Sequence, residues 1–487
     1  MNKCIKFRNK VLTDVRGVSC DAKSVKKRFI FCAICGATYN GNDYIDEAIK
    51  NGARFILLEG NKYKVKNIDC VSYLYSPNVR KDLALICSQL FYSSFERMVA
   101  VTGTNGKTST VHFLRQILAC SGDVCASIGT LGIVISQYMY QDSYCRFENC
   151  LTSPGPIQLN QILHMLKDKY HVNDVVMEAS SHGIDQYRMF GNDFSVVAFT
   201  NFSQDHLDYH KSMDGYFKAK LKLFSEFASK NTKCVLNIDS EKYNDLLEAC
   251  GRRKVISYGL TSGDVHFEKL EHNDLGYSGV IFIGRKSYRF SVYINSRYQL
   301  YNILCAVAIA YAMKVPAKKI ADNLFRLLDV PGRMQQIRIG SNASIYIDYA
   351  HTPDALKTAL CDVRENCAGR VIVVFGCGGD RDKSKRSTMG EIAAEYADLV
   401  IVTDDNPRSE DPQKIREEIL KGCKKAIEIA DRSKAIKFAI SEMRRADCLL
   451  VAGKGHENYQ IIGAERKYFS DLEEIQKSIV ELRVPNE

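Results

Sequence analysis

The stretch "RMVAVTGTNGKTSTVHFLRQIL", Arg97 to Leu118, restricts the possible folds of this chain more than any other. Met98 to Val101 is a short apolar run suited to a buried strand. A glycine turn follows, and then Val111, Leu114, Ile117 and Leu118 recur at helical spacing. Strand, glycine turn and helix in that order form one unit of an α/β sheet. The turn resembles a shortened phosphate loop. The usual signature separates its glycines by four residues, whereas only Thr104 and Asn105 lie between Gly103 and Gly106, ahead of Lys107, Thr108 and Ser109. Glycine lets backbone N–H groups point inward, and a helix N-terminus favours anions, so the short loop can still cradle phosphate. Lys107 would neutralise β and γ oxygens, and the Thr108 hydroxyl could ligate Mg²⁺. On this stretch alone, a plain glycine turn opening a helix is the alternative.

The same pattern recurs. From about residue 331, "SIYIDYAHTPD", "VIVVFGCGGDRDK", "DLVIVTDDNPRSEDP" and "DCLLVAGKGHENYQ" each run an apolar strand into a polar loop. Helical segments separate them, as in a doubly wound parallel sheet whose ligands gather at the carboxyl ends of the strands. Residues before about 95 alternate short apolar runs with turns and suggest a small α/β module. At 487 residues the chain exceeds one hydrophobic core. The expected domains are 1–95, 96–330 and 331–487, the second a phosphate-loop ATPase-type parallel sheet and the third Rossmann-like.

The net charge of +10 is spread over short runs such as Lys23 to Arg28, which suits a solvated surface with a mild bias toward small anions. The 18 cysteines are scattered singly, and the close pair Cys32 and Cys35 has no second pair at zinc-finger spacing. Unpaired thiols suit a reducing compartment. There is no signal-like apolar region after "MNKCIKFRNK" and no run of about 18 apolar residues. A cytoplasmic, soluble protein is expected.

Two further stretches carry chemistry. In "DVVMEASSHGIDQYR" an apolar strand ends in Glu178, where a carboxylate could hold Mg²⁺ beside phosphates, and Ser180, His182, Gln186 and Arg188 follow closely. In "VVAFTNFSQDHLDYH" another strand ends in Asn201, Asp205, His206 and Asp208. His206, flanked by acids, could be a structural histidine or a ligand.

These segments, together with "YFKAK", "VPGRMQ", "YIDYAHTPDAL", "FGCGGDRDKSKR", "DDNPRSEDP" and "GKGHENYQ", resemble the Mur ligases in order and spacing across about residues 11–475. Among these the likeness is to the members that add the third amino acid to UDP-MurNAc-L-Ala-D-Glu in peptidoglycan synthesis. The resemblance implies ATP-dependent amide formation through an acyl phosphate, with Mg²⁺ held by Thr108, Glu178 and His206. Lys220 matches the lysine that the family carbamylates, giving an anion able to ligate a second Mg²⁺. Gly103 to Ser109, Asn302, Arg333 and Asp348 match nucleotide contacts, so Lys107, Lys220 and His206 are the expected catalytic set. Thr152, Ser153, Ser180, Gln186 and Arg188 match the UDP-muramoyl-peptide site. A monomer is expected, with no nucleic acid or membrane partner.

The chain departs from the family in three places. The N-terminal Asp-Ser-Arg reads Asp21-Ala22-Lys23, so Cys20 and Ala22 can offer the uridine nucleotide only backbone. The family's G-K-R-P reads Ser384-Lys385-Arg386-Ser387, and a helix motif that often reads F-N is Tyr298-Gln299. Folylpolyglutamate synthase is the closest alternative, but it lacks a UDP-binding N-terminal domain. A non-catalytic nucleotide switch would have no use for "DNPR" and "GKGHE". The expected amino acid is meso-2,6-diaminopimelate rather than L-lysine. Arg408 occupies the loop position where the resemblance implies an arginine for the second carboxylate, and guanidinium can grip a carboxylate by two parallel bonds. Arg381, Asp405, Asn406, Pro407, Gly453 and Glu457 match the remaining contacts. Pairing of Arg408 with Glu410 or Asp411 on the surface is the alternative.

Overall fold

Three sheets with separate apolar cores organise the computed structural model, which describes residues 3–36, 39–60, 68, 70–137, 141–145, 151–273, 275–339 and 343–482. The first is a parallel four-stranded sheet in the order Gly17–Ser19, Phe29–Cys32, Ala53–Glu59 and Ser72–Ser76. The helix Val79–Leu90 buries Leu83, Ile86 and Cys87 against it. Cys32 belongs to this core, whereas Cys35 is exposed and meets Asn40 and Asn42. The two thiols therefore serve different surroundings. No group of three or more His, Cys, Asp or Glu side chains is placed to hold a metal among the described residues.

Eleven strands form the central sheet. Its middle is parallel, in the order Cys125–Gly129, Asp174–Glu178, Arg97–Thr102, Val196–Phe199, Lys233–Asn237, Val255–Tyr258. Both margins run antiparallel, with Gly132–Gln137 and Gln141–Cys145 on one side. On the other side, Val265–Asn273 pairs parallel with Val255–Tyr258 through one residue pair. The meander then continues antiparallel into Gly276–Ile283 and Lys286–Val292. The expected parallel sheet is present in the middle, and the antiparallel margins extend it. Residues 265–292 fold as hairpins because their tight turns, as at Gly284 (φ 64°), leave no length for a crossover helix. The helices Lys107–Cys120 and Arg297–Ala312 cover one face and Pro156–Asp168 the other.

The third sheet has six strands in the order Gln335–Ile339, Ala343–Asp348, Cys448–Ala452, Val371–Phe375, Leu399–Val402, Ile427–Glu428, all parallel except the first. The four strands read from the sequence are present. The late strand Cys448–Ala452 inserts between Ala343–Asp348 and Val371–Phe375, which opens a crevice at the strand ends where the polar loops converge. Helices lie on both faces. Pro353–Glu365, for example, starts with proline in its first turn and Thr352 accepting from Ala355 N.

Candidate active site

The shortened loop closes because both glycines adopt conformations closed to other residues. Gly103 (φ 150°) would place a Cβ 1.9 Å from Thr200 Oγ1, and Gly106 (φ 82°) one 2.2 Å from Asn302 Oδ1. Asn201 ties down the residues between: its carbonyl accepts Thr104 N at 2.9 Å and its Oδ1 accepts Asn105 N at 2.8 Å. Lys107 curls back to donate to the Gly103 and Thr104 carbonyls at 2.9 and 2.7 Å. Lys220 donates to the same Gly103 carbonyl at 2.7 Å and is 1% exposed. Burial, reinforced by the nearby Lys107 charge, pushes the Lys220 pKa well below the usual lysine range.

Glu178 forms the floor of the cleft. One carboxylate oxygen accepts the Thr108 and Thr130 hydroxyls, each at 3.0 Å, and the other accepts Thr130 N at 2.7 Å. Thr130 was not anticipated, although it too follows a strand end, in "SIGT". His206, in a left-handed turn (φ 52°), has Nε2 3.4 Å from Asp205 Oδ2, and its ring lies 4.9 Å from that of His182. Partial burial lowers the His206 pKa and favours the neutral imidazole, the form that can ligate a metal.

The third sheet supplies the facing wall. Arg333 reaches Thr108 Oγ1 at 3.4 Å and lies over the Tyr349 ring. Asp348 accepts from Tyr298 OH, Met334 N and Ala350 N, so its carboxylate holds the junction of the two sheets. Gln299 bridges Asn302 Nδ2 to the Arg333 carbonyl. Gln299 and Tyr298, noted as departures, thus brace this facing wall. Together these elements enclose a cleft of roughly 600 Å³ lined by Thr104 to Ser109, Thr152, Glu178, Ser180, His206, Lys220, Asn302, Arg333 and Asp348. Tyr349 and His351, which also line it, lie in the quoted "YIDYAHTPDAL" but were not singled out.

The matched peptide contacts lie beside this cleft. The Ser153 hydroxyl is already committed, donating to the Glu178 carbonyl and accepting Ser180 N, each at 2.9 Å. Ser180 caps a short helix through Gly183 N. Arg188 donates to the Ser153 carbonyl at 2.8 Å and to Gln186 Oε1 at 3.0 Å. In the first sheet's domain, Ala22 is buried and Cys20 exposed, while Asp21 caps the turn Ala22–Ser24 and accepts from Ser24 Oγ.

A second cluster sits at the strand ends of the third sheet. Arg408 (φ 52°) is clamped by the backbone, with its N donating to the Ile461 carbonyl and its own carbonyl accepting Gly463 N. Its guanidinium donates to the Gly379 carbonyl at 2.6 Å. Asn406 Nδ2 donates to Glu457 Oε2 at 2.9 Å, and Asp405 Oδ2 is buried with no partner. Pro407 is buried, and Gly453 packs against Asp405. Arg381 donates only to the neighbouring Asp380 carbonyl, at 3.3 Å, and is exposed. Lys454, whose ammonium is buried between Asn406 and Glu457, was not singled out from the sequence. The two clusters approach one another at the junction, where the Gly332 carbonyl would lie 2.7 Å from a Cβ on Gly455.

Comparison with known proteins agrees with this layout. Residues 101–310 match the Mur ligase middle domain and residues 332–455 the Mur ligase glutamate ligase domain. The UDP-N-acetylmuramoyl-L-alanyl-D-glutamate--2,6-diaminopimelate ligase of Anaplasma marginale (strain St. Maries) is 40% identical over 471 residues, covering 96% of each chain. A solved structure of a UDP-N-acetylmuramoyl-L-alanyl-D-glutamate--2,6-diaminopimelate ligase superposes with a TM-score of 0.68 at 29% identity, again over 96% of each chain. The Mycobacterium tuberculosis folylpolyglutamate synthase, complexed with ADP and AMPPCP, shares the fold at a TM-score of 0.62 and 16% identity, over 77% of this chain and 92% of its own. With both family domains matched in order and a relative this similar along almost its whole length, the chain belongs to the Mur ligase family.

Proposed function

We propose that this ligase uses ATP to join meso-2,6-diaminopimelate to the D-Glu γ-carboxylate of UDP-MurNAc-L-Ala-D-Glu. It would act as a cytoplasmic monomer in peptidoglycan synthesis, with neither nucleic acid nor membrane as partner. Domain limits of 1–95, 96–330 and 331–487 are proposed with it. The choice of amino acid rests on Arg408, which has no carboxylate within 4.0 Å among the described residues. Its nearby competitors are engaged elsewhere: Glu410 with Arg386 and Lys383, Asp411 in capping the helix Pro412–Leu420. Asp380 feels the Arg408 charge but bonds to Ser409. A guanidinium with no salt-bridged carboxylate suits the second carboxylate of diaminopimelate and leaves L-lysine nothing to offer it. Asp405 Oδ2, also unpartnered, suits the distal ammonium. The name of the Anaplasma relative supports the same reading.

The chemistry follows from the cleft. A substrate carboxylate attacks the γ-phosphorus, ADP leaves, and the acyl phosphate forms. The amine then attacks the acyl carbon, releasing phosphate and losing a proton. Carboxylate and triphosphate repel, so Lys107 and Arg333 supply the opposing charge. Mg²⁺ fits the donors present. Thr108, Glu178 and His206 offer too few protein ligands for a closed cage, as expected of an ion bound through one or two carboxylates plus substrate phosphates. When bound it would neutralise phosphate charge. The Lys220 carbamate is supported by the buried, pKa-depressed amine, since CO₂ adds only to the neutral nitrogen, which then releases a proton. Asn302, Arg333, Asp348 and Gly103 to Ser109 are the proposed ATP contacts. Thr152, Ser153, Ser180, Gln186, Arg188, Cys20 and Ala22 are those of the nucleotide-peptide, with Ser153 acting through its backbone.

Phosphate release with Mg²⁺-ATP, the UDP-muramoyl-dipeptide and either amino acid tests the reading. The kcat/KM for diaminopimelate should exceed that for L-lysine by at least about tenfold. Equal or better use of lysine would refute it.

A further inference from the structure

Lys454 stands between two left-handed glycines, Gly453 (φ 109°) and Gly455 (φ 55°), and is fully buried. A Cβ on either would crowd its surroundings, 2.9 Å from Asp405 Oδ2 for Gly453 and 2.7 Å from the Gly332 carbonyl for Gly455. The ammonium donates to Asn406 Oδ1 at 3.2 Å and lies 3.5 Å from Glu457 Oε2. This network occupies Asn406, whose Oδ1 also accepts Ile461 N at 3.0 Å while its Nδ2 donates to Glu457 Oε2. Asp405 Oδ1 accepts Asn406 N at 2.7 Å. Asp405 and Glu457 thus bring two negative charges and Lys454 one positive. The set presents one net negative charge, matched to a single ammonium.

We infer that Lys454 is a positioning residue for the incoming amino acid. It fixes the Glu457 carboxylate, directly and through Asn406, and offsets one of the two acids so that the site selects a substrate with one distal ammonium. This rests on the reading of the amino-acid site given above.

Steady-state kinetics of the full chain test it. Lys454→Met should raise the KM for diaminopimelate roughly 10–100-fold, with the KM values for ATP and nucleotide-peptide within about twofold. In a Glu457→Gln background, where the carboxylate that Lys454 holds is already lost, adding Lys454→Met should change that KM by less than about threefold. The double variant removes the Lys454–Glu457 ion pair as a unit, so it serves if the single variant fails to fold. A Lys454→Met enzyme with reduced kcat and an unmoved amino-acid KM has lost only structure, and this overturns the inference. Effects that multiply in the double variant overturn it too. A parent that does not use diaminopimelate fails the reading of the site itself, whereas a parent that does, with Lys454→Met unmoved, fails this inference alone.

Discussion

The Lys107 ammonium bonds only to carbonyls of its own loop. Lys107 is half-buried at the cleft, outside the apolar cores, and the Gly103 carbonyl keeps Lys220 as a donor. Lys107→Ala should therefore abolish ligation while leaving the thermal midpoint close to the parent's. An active variant would remove the lysine from the phosphates, and an unfolded one would make it structural. Lys220 differs, being buried and depressed in pKa beside Lys107. Lys220→Ala should lose most activity, and small carboxylates should restore part of it by standing in for the carbamate. An undiminished rate would end that assignment. Lys107 stood out from its loop, whereas Lys220 was marked only by the family resemblance. Their sharing of the Gly103 carbonyl was not legible, because the pairing spans 117 residues of chain.

Among the elements, the helices Arg297–Ala312 and Pro353–Glu365 join the second and third sheets through one carboxylate. Asp362 Oδ1 accepts Arg297 N at 2.8 Å, while Oδ2 is buried without a partner. Burial pushes the Asp362 pKa up to about 6. A folded pKa above the unfolded one means that the native state binds the extra proton. The stability this contributes is full below about pH 4 and is lost as pH rises through 6. Asp362→Asn keeps the acceptor for Arg297 N and never carries the charge. It should match the parent near pH 4 and be more stable above pH 6, by at most about 3 kcal/mol. Thermal midpoints at pH 4.5 and 8 check this, and a gap that does not change with pH would refute it. The helices themselves were legible from their apolar spacing. The hairpins over 265–292 were not, because strand direction at a sheet margin depends on what pairs there.

Across the whole molecule, the second and third sheets bring residues far apart in sequence to one junction. Arg408 acts far along the chain from Lys107, and its backbone is held by the hairpin Tyr459–Ile462 and Glu465–Tyr468. Because the Arg408 guanidinium bonds to a single carbonyl among the described residues, Arg408→Ala should leave the fold intact. It should lower kcat/KM for diaminopimelate by roughly 10–100-fold, the loss of about 1.5–3 kcal/mol of charged hydrogen bonding. Turnover of L-lysine, if measurable, should change little. Equal losses for the two amino acids would mean that Arg408 supports the loop rather than reading the carboxylate.

The sequence by itself determined the α/β character, the phosphate loop and the strand-end loops that carry chemistry. These follow from glycine conformation and apolar periodicity, which act over a few residues. Tertiary structure decided which polar groups remain free to act. Ser153 and Asn406 are matched to ligand contacts in the sequence, and the fold adds that their side chains also bond within the protein, to Glu178 and Ser180 and to Lys454, Ile461 and Glu457. Glu410 pairs with Arg386, 22 positions before Arg408, rather than with Arg408 itself. A buried hydrogen-bonding group must find a partner, and only the folded chain determines which partner comes within reach.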